Sequence, residues 1–211
     1  MGTQRPLSEV VSALLAPERA LAVQDWTGVR TLLRLDLNLP TAADGSVTDR
    51  SRLDAALPGL RLLLSKGARV VVATHLGRPE PAKENLAEMT ARDGLAPVAA
   101  LLQKELGAAF LGLSSDVAGP DAKRLVASLA NGQACLLQNV RFEAGETAKA
   151  GTPAFDALSA ALAALCDAFV LDGFGVAHRA QASVTGVARL VQRRFPGPLG
   201  TDADRQLLVT R

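Results

Sequence analysis

The stretch VRTLLRLDLNLPTAADGSVTDRSRLDAALPGLRLLLSKGARVVVAT, residues 29–74, decides the fold. It opens on VRTLLRL (Val29–Leu35) and closes on RVVVAT (Arg69–Thr74), two short, largely apolar runs of the kind that build a covered parallel sheet. Between them Leu53, Ala56, Leu57, Leu60 and Leu64 recur at a spacing of three or four, so one face of a helix is apolar. Asp49 stands at the cap position of that helix and Gly67 just past its end. Strand, helix, strand with a crossover of this length is the unit of an α/β fold, and its connections are right-handed.

The alternation continues outward. Ala134–Leu137 (ACLL) and Ala168–Leu171 (AFVL) read as further strands, with a weaker one at Ala109–Leu113. Helical spacing returns over Leu95–Leu106, which stops at Gly107, over Asp121–Leu129, and from Pro153 to Cys166. The expected architecture is a doubly wound, three-layer α/β/α domain with a mainly parallel sheet over residues 27–199. Residues 1–26 read as an amphipathic extension and linker outside that pattern. Beyond the break RFPGPL (Arg194–Leu199), residues 200–211 read as the start of another helix, over Thr201–Leu208 with Thr201 or Asp202 as its cap. That element has no continuation and suggests a missing partner.

Composition narrows the function classes. With 48% hydrophobic and 21% charged residues in 211, the chain can bury a large core, which excludes intrinsic disorder and a disulfide scaffold. Cys135 and Cys166, the only two cysteines, lie in an apolar run and at a helix end, so both read as core residues. A net charge of +2 from 23 basic and 21 acidic residues is too balanced for a nucleic-acid or membrane-surface binder. Aromatic residues at 3% leave few stacking platforms for single strands. No apolar run approaches a bilayer span, and MGTQRPLSEVV lacks the pattern of a cleaved leader or, with Pro6, of a myristoylation signal. The expectation is a cytoplasmic protein.

Of the basic residues 18 are arginine, whose planar fork matches phosphate and carboxylate, so their placement matters. In an open α/β sheet ligands bind beyond the carboxyl ends of the strands. Each strand end here delivers polar groups: Asp36-Leu37-Asn38 after the first, His75-Leu76-Gly77-Arg78 after the second, Gln138-Asn139-Val140-Arg141 after the fourth run, and Asp172 through His178-Arg179 after the last. Arg52 adds another from the first turn of the first helix. Singly each has an ordinary structural explanation: a loop cap, a hydrogen-bonded histidine, a solvated arginine, a tight glycine turn. Gathered on one edge, Arg52, Arg78, Arg141 and Arg179 with the two histidines form an electropositive pocket for a small, multiply charged anion. Asp36 and Asn38 add groups that can read a hydroxyl.

RLDLNLP (Arg34–Pro40), TDRSRL (Thr48–Leu53), THLGRP (Thr74–Pro79), LAPVAALLQKELG (Leu95–Gly107), LLQNVRFEAGE (Leu136–Glu146) and LDGFGVAHRAQASVTGVA (Leu171–Ala188) occur in this order. In these motifs the chain resembles the phosphoglycerate kinase family, specifically its N-terminal, 3-phosphoglycerate-binding domain. The resemblance runs from about residue 28 to 200. It implies that Arg78, Arg141 and Arg179 grip the 3-phosphate with His75 beside them. Asp36 and Asn38 would hold the glyceroyl hydroxyl and carboxylate end, Leu37, Leu76 and Gly77 of the same loops would be substrate-binding with them, and Arg52 would bind the substrate and act as the catalytic arginine against the phosphoryl group in flight. Family chemistry is reversible phosphoryl transfer between MgATP and the carboxylate of 3-phosphoglycerate, giving 1,3-bisphosphoglycerate and MgADP, a step of glycolysis. No protein nucleophile is implied.

The departures from the family are Leu37 where members carry phenylalanine, Val140 where they carry leucine, and Gly173 where they carry alanine. Members are also much longer, and their second half binds the nucleotide. No G-x-x-x-x-G-K-[ST] loop occurs, and Gly173 and Gly175 lack the third glycine of a dinucleotide fingerprint. The expectation is therefore a substrate half, inactive without a separate nucleotide-binding domain, holding no cofactor or metal of its own and binding neither nucleic acid nor membrane. A non-catalytic phosphometabolite-binding or regulatory module is the alternative. Asp36-Leu37-Asn38 superficially resembles the D-x-D of aspartyl-phosphate phosphatases, but the second carboxylate is replaced by Asn38 and the late strand end offers only Asp172.

Overall fold

The computed structural model describes residue 21 and residues 24–42, 45–191 and 208–210. Its elements are β1 (Arg30–Leu35), α1 (Ser51–Ser65), β2 (Arg69–Ala73), α2 (Leu86–Asp93), α3 (Ala96–Leu106), β3 (Phe110–Leu113), α4 (Pro120–Ala127), β4 (Ala134–Leu136), α5 (Pro153–Ala163), β5 (Ala168–Asp172), the short α6 (Phe174–Ala177) and α7 (Val187–Leu190), and β6 (Leu208–Thr210). The strands form one sheet in the order β3-β4-β2-β1-β5-β6, every neighbouring pair parallel. The doubly wound α/β class expected from the sequence is the fold observed.

Alternation along β1 explains the layers. Leu33 and Leu35 face one side, where Leu53, Leu57 and Leu60 of α1 and Val98 and Leu102 of α3 join them. Leu32 faces the other, with Leu125 of α4, Phe155, Leu158 and Leu162 of α5, and Phe169 of β5. Successive strand side chains point to opposite faces, so Arg34 shares the second side with Leu32. Cys135 and Cys166 are free and buried in that second core. The first core extends back to Leu21 and Trp26, which are 1% and 0% exposed, with Trp26 Nε1 donating to Leu21 O at 2.8 Å. These residues precede position 27, where the sequence places the start of the domain; an indole with its N–H satisfied packs as well here as anywhere in the sheet.

Several boundaries shift. In α1 it is Leu63 that is fully buried, with Leu64 only partly so. Asp49 takes the N–H of Ser51 at 2.8 Å, one residue ahead of the cap position Arg50. α4 and α5 end at Ala127 and Ala163, shorter than their periodicity suggests. α2 has no counterpart in the sequence reading. It starts on a capping box in which Asn85 accepts from Glu88 N and the Glu88 side chain accepts from Asn85 N. The helix expected over Thr201–Leu208 lies outside the described residues, except Leu208, which begins β6. Among the described residues, no helix is long and apolar enough to cross a membrane.

Candidate functional site

Because the sheet is parallel, the carboxyl ends of β4, β2, β1 and β5 open side by side on one edge. The loops that leave them are tied to one another by side chains. Thr74 Oγ1 donates to Leu35 O at 3.0 Å and accepts the N–H of Leu37 at 2.9 Å, joining the ends of β1 and β2. Asn38 Oδ1 accepts the N–H of Gly77 at 2.8 Å. Asn139, wholly buried after β4, donates through Nδ2 to Leu76 O at 2.8 Å and to Asp93 O at 2.9 Å, while its Oδ1 accepts the N–H of Arg141.

Gly77 is where these ties meet. Its carbonyl accepts Arg141 Nη1 at 2.9 Å, its φ is +64°, and a Cβ placed there would lie 2.1 Å from Asp93 Oδ1. Only glycine combines that backbone conformation with so close an approach. Arg92 in turn pairs with Asp93 at 2.7 Å, so the otherwise unanticipated α2 is the floor under this loop.

The expected site residues do converge. Arg52 Nη1 lies 2.7 Å from Asp36 Oδ2, an ion pair between α1 and the end of β1. Among the described residues Asp36 Oδ1 is enclosed without a partner, and so is Arg141 Nε. A Cβ on Gly175 would stand 2.3 Å from Asp36 Oδ2, which brings the turn after β5 directly against Asp36. Burial and the charge of Arg179 lower the pKa of Arg141, with Arg78 acting the same way. Arg78 and Arg179 are exposed, and neither they nor Arg141 has a carboxylate partner among the described residues. Leu37 and Leu76 turn their side chains into the core, at 0% and 5% exposure, and so shape the loops from beneath.

His75 corrects one expectation. It is 5% exposed, and burial, followed by the charges of Arg34, Arg141, Arg179 and Arg52, pushes its pKa down to about 2. The ring is neutral at physiological pH, so the electropositive character of this edge comes from guanidinium groups. His178, the second histidine, is exposed.

The sequence reading assigned no role to Arg34, Glu146 or Ser183, yet all three are fully buried behind the loops. Arg34 Nε donates to Ser183 Oγ at 2.9 Å, and Ser183 gives Glu146 Oε1 its hydroxyl proton at 2.6 Å and Glu146 Oε2 its backbone N–H at 2.9 Å. Burial lowers the pKa of Arg34 and raises that of Glu146, and the opposite charge of each partner resists the shift. The available signal was an arginine inside an apolar strand, a placement tolerated only when the charge is paired. Among the described residues, no cluster of three or more His, Cys, Asp or Glu is disposed to hold a metal ion. The phosphatase-like alternative also lacks its second acid: Asn38 stands in that place and its Oδ1 is committed to Gly77.

Comparison with known proteins places the chain in a family. The family model for phosphoglycerate kinase matches residues 21–201. A phosphoglycerate kinase of Corynebacterium jeikeium is 47% identical over 186 residues, covering 87% of this chain and 43% of the relative. One from a Synechococcus strain is 44% identical over 178 residues, covering 83% and 42%. Among solved structures, phosphoglycerate kinase from Coxiella burnetii superposes with a TM-score of 0.62 at 36% identity, over 79% of this chain and 38% of that one. That from Pyrococcus horikoshii gives 0.63 at 29% identity, over 79% and 39%. The chain thus spans less than half the length of the relatives it matches.

Proposed function

Because the chain belongs to the phosphoglycerate kinase family, we propose that the carboxyl edge of its sheet binds 3-phosphoglycerate as the acceptor half of a phosphoryl transfer from MgATP. The observation that carries this reading is a set of three guanidinium groups with no carboxylate partner among the described residues: Arg141, bonded to the Gly77 carbonyl, and Arg179 and Arg78, whose charges act on it. Unpaired arginines held close together repel one another, and a multiply charged anion relieves that cost with bidentate hydrogen bonds. Their forks hold the 3-phosphate. Asp36 and the Nδ2 of Asn38, which has no partner among the described residues, face the glyceroyl hydroxyl and carboxylate, and Arg52 exchanges Asp36 for the phosphoryl group as it moves.

In a transfer of this kind the protein contributes position and charge neutralisation. Nucleotide and its Mg²⁺ come from a second domain or subunit, in a soluble cytoplasmic setting. Mixing the purified chain with the nucleotide-binding half of a related enzyme and following ADP release from MgATP and 3-phosphoglycerate tests the reading. Turnover that needs both halves and is lost in Arg52→Ala is the expected result. A complementing half that restores nothing, although it binds nucleotide, would favour a phosphometabolite-binding module that does not catalyse.

A further inference from the structure

Behind the arginine edge the polarity of a buried hydrogen-bond chain is fixed by chemistry. An arginine has donors only and an ionised carboxylate acceptors only. The Ser183 hydroxyl therefore accepts from Arg34 Nε and donates to Glu146 Oε1. Arg34 Nη2 reaches the other way, to His75 Nδ1 at 3.3 Å, and Nη1 bonds Leu35 O and Ala73 O. Since Nη2 can only donate, Nδ1 must be the unprotonated nitrogen and Nε2 the protonated one. Nε2 has no partner among the described residues, and the residue keeps 5% exposure. Ser183 lies on a single π-helical turn, Ala182–Gly186, in which the N–H groups of Val184, Thr185 and Gly186 all converge on Gln181 O. Such turns are rare and concentrate at functional sites.

We propose that Glu146, Ser183 and Arg34 are positioning residues that lock His75 in its Nε2–H tautomer, so that the ring presents an uncharged, directional donor to the bound anion. Among several arginines a further cation adds repulsion, whereas a neutral N–H adds a hydrogen bond and fixes orientation. The ligand half of this inference rests on the reading of the edge as the 3-phosphoglycerate site; the tautomer half does not.

Nitrogen-15 NMR of the imidazoles in the unliganded chain tests it. There are two histidines, and His178→Gln leaves His75 alone in the spectrum. The wild-type ring should show an unprotonated Nδ1 and a protonated Nε2. In Ser183→Ala, and in Glu146→Gln if it folds, the second tautomer should appear and affinity for 3-phosphoglycerate should fall by roughly three- to tenfold, the worth of one net hydrogen bond. Arg141→Ala should lose affinity without changing the tautomer. An unchanged tautomer in folded Ser183→Ala would overturn the proposal, as would a changed tautomer with wild-type affinity. If the wild-type chain fails to bind 3-phosphoglycerate, the functional reading falls, while the NMR comparison still decides whether the chain controls His75.

Discussion

Arg52 Nη1 stands 2.7 Å from Asp36 Oδ2, so the first turn of α1 is held to the end of β1 by a charge pair whose arginine is half exposed and whose aspartate is largely enclosed. The arginine proposed to meet the moving phosphoryl group is thus the partner of the carboxylate next to it. An ion pair with one exposed partner adds little stability.

Arg52→Ala should accordingly shift the unfolding free energy by less than about 1 kcal/mol. Turnover of the reconstituted enzyme should fall by roughly 10³-fold or more, the scale of an arginine acting on a transition-state phosphoryl group. Urea unfolding and steady-state kinetics on the same variant separate the two effects.

Gly77→Ala should cost roughly 2 kcal/mol or more, because it combines a left-handed backbone with a collision against an enclosed carboxylate. The φ of +64° and the 2.1 Å approach to Asp93 Oδ1 are the two causes. The same substitution should weaken 3-phosphoglycerate binding, since the Gly77 carbonyl aims Arg141. Denaturant midpoints and calorimetry check both.

Gly173 and Gly175 should respond differently to alanine. At Gly173 the new Cβ meets Asp36 N and Val176 Cγ2 at 3.1 Å, a squeeze that small shifts relieve. At Gly175 it meets Asp36 Oδ2 at 2.3 Å, the atom that pairs with Arg52. Gly173→Ala should stay within about 1 kcal/mol of wild type in stability, while Gly175→Ala should loosen the Asp36–Arg52 pair and lower reconstituted turnover.

The strands were legible because apolar runs of four to seven residues between helical segments admit little else: RVVVAT and AFVL became β2 and β5 nearly residue for residue. That the loops gather on one edge was legible for the same reason, since a parallel sheet places all its strand ends together. α2 was not, because LAEMTARD carries only two large apolar residues, Leu86 and Met89, and follows a loop with two prolines, and only the Asn85–Glu88 capping box announces it. Neither was the buried chain from Glu146 to His75. Residues 149 and 37 positions apart join there, and no local pattern reports such pairing. The charge state of His75 depends on that same enclosure and so lay outside any reading of HLGRP.

The His75 imidazole makes stability depend on pH. Its folded pKa, pushed down to about 2, lies below the ordinary value near 6.5, so the unfolded chain binds a proton first as pH falls. Stability from this group is complete above pH 6.5 and is lost below it, by about 1.4 kcal/mol per pH unit. Between pH 6.5 and pH 5, above the ordinary carboxylate range, His75→Gln should flatten the slope of unfolding free energy against pH by about that amount. Equal slopes in variant and wild type would show that the ring is not held neutral.

The central claim is that the Gly77 edge binds 3-phosphoglycerate, and calorimetric titration of the purified chain tests it most directly. One molecule should bind per chain, and Arg141→Ala and Arg179→Ala should each weaken binding by about 1.5–3 kcal/mol, the worth of a charged hydrogen bond. No binding by the wild-type chain, or unchanged affinity in both variants, would contradict the account.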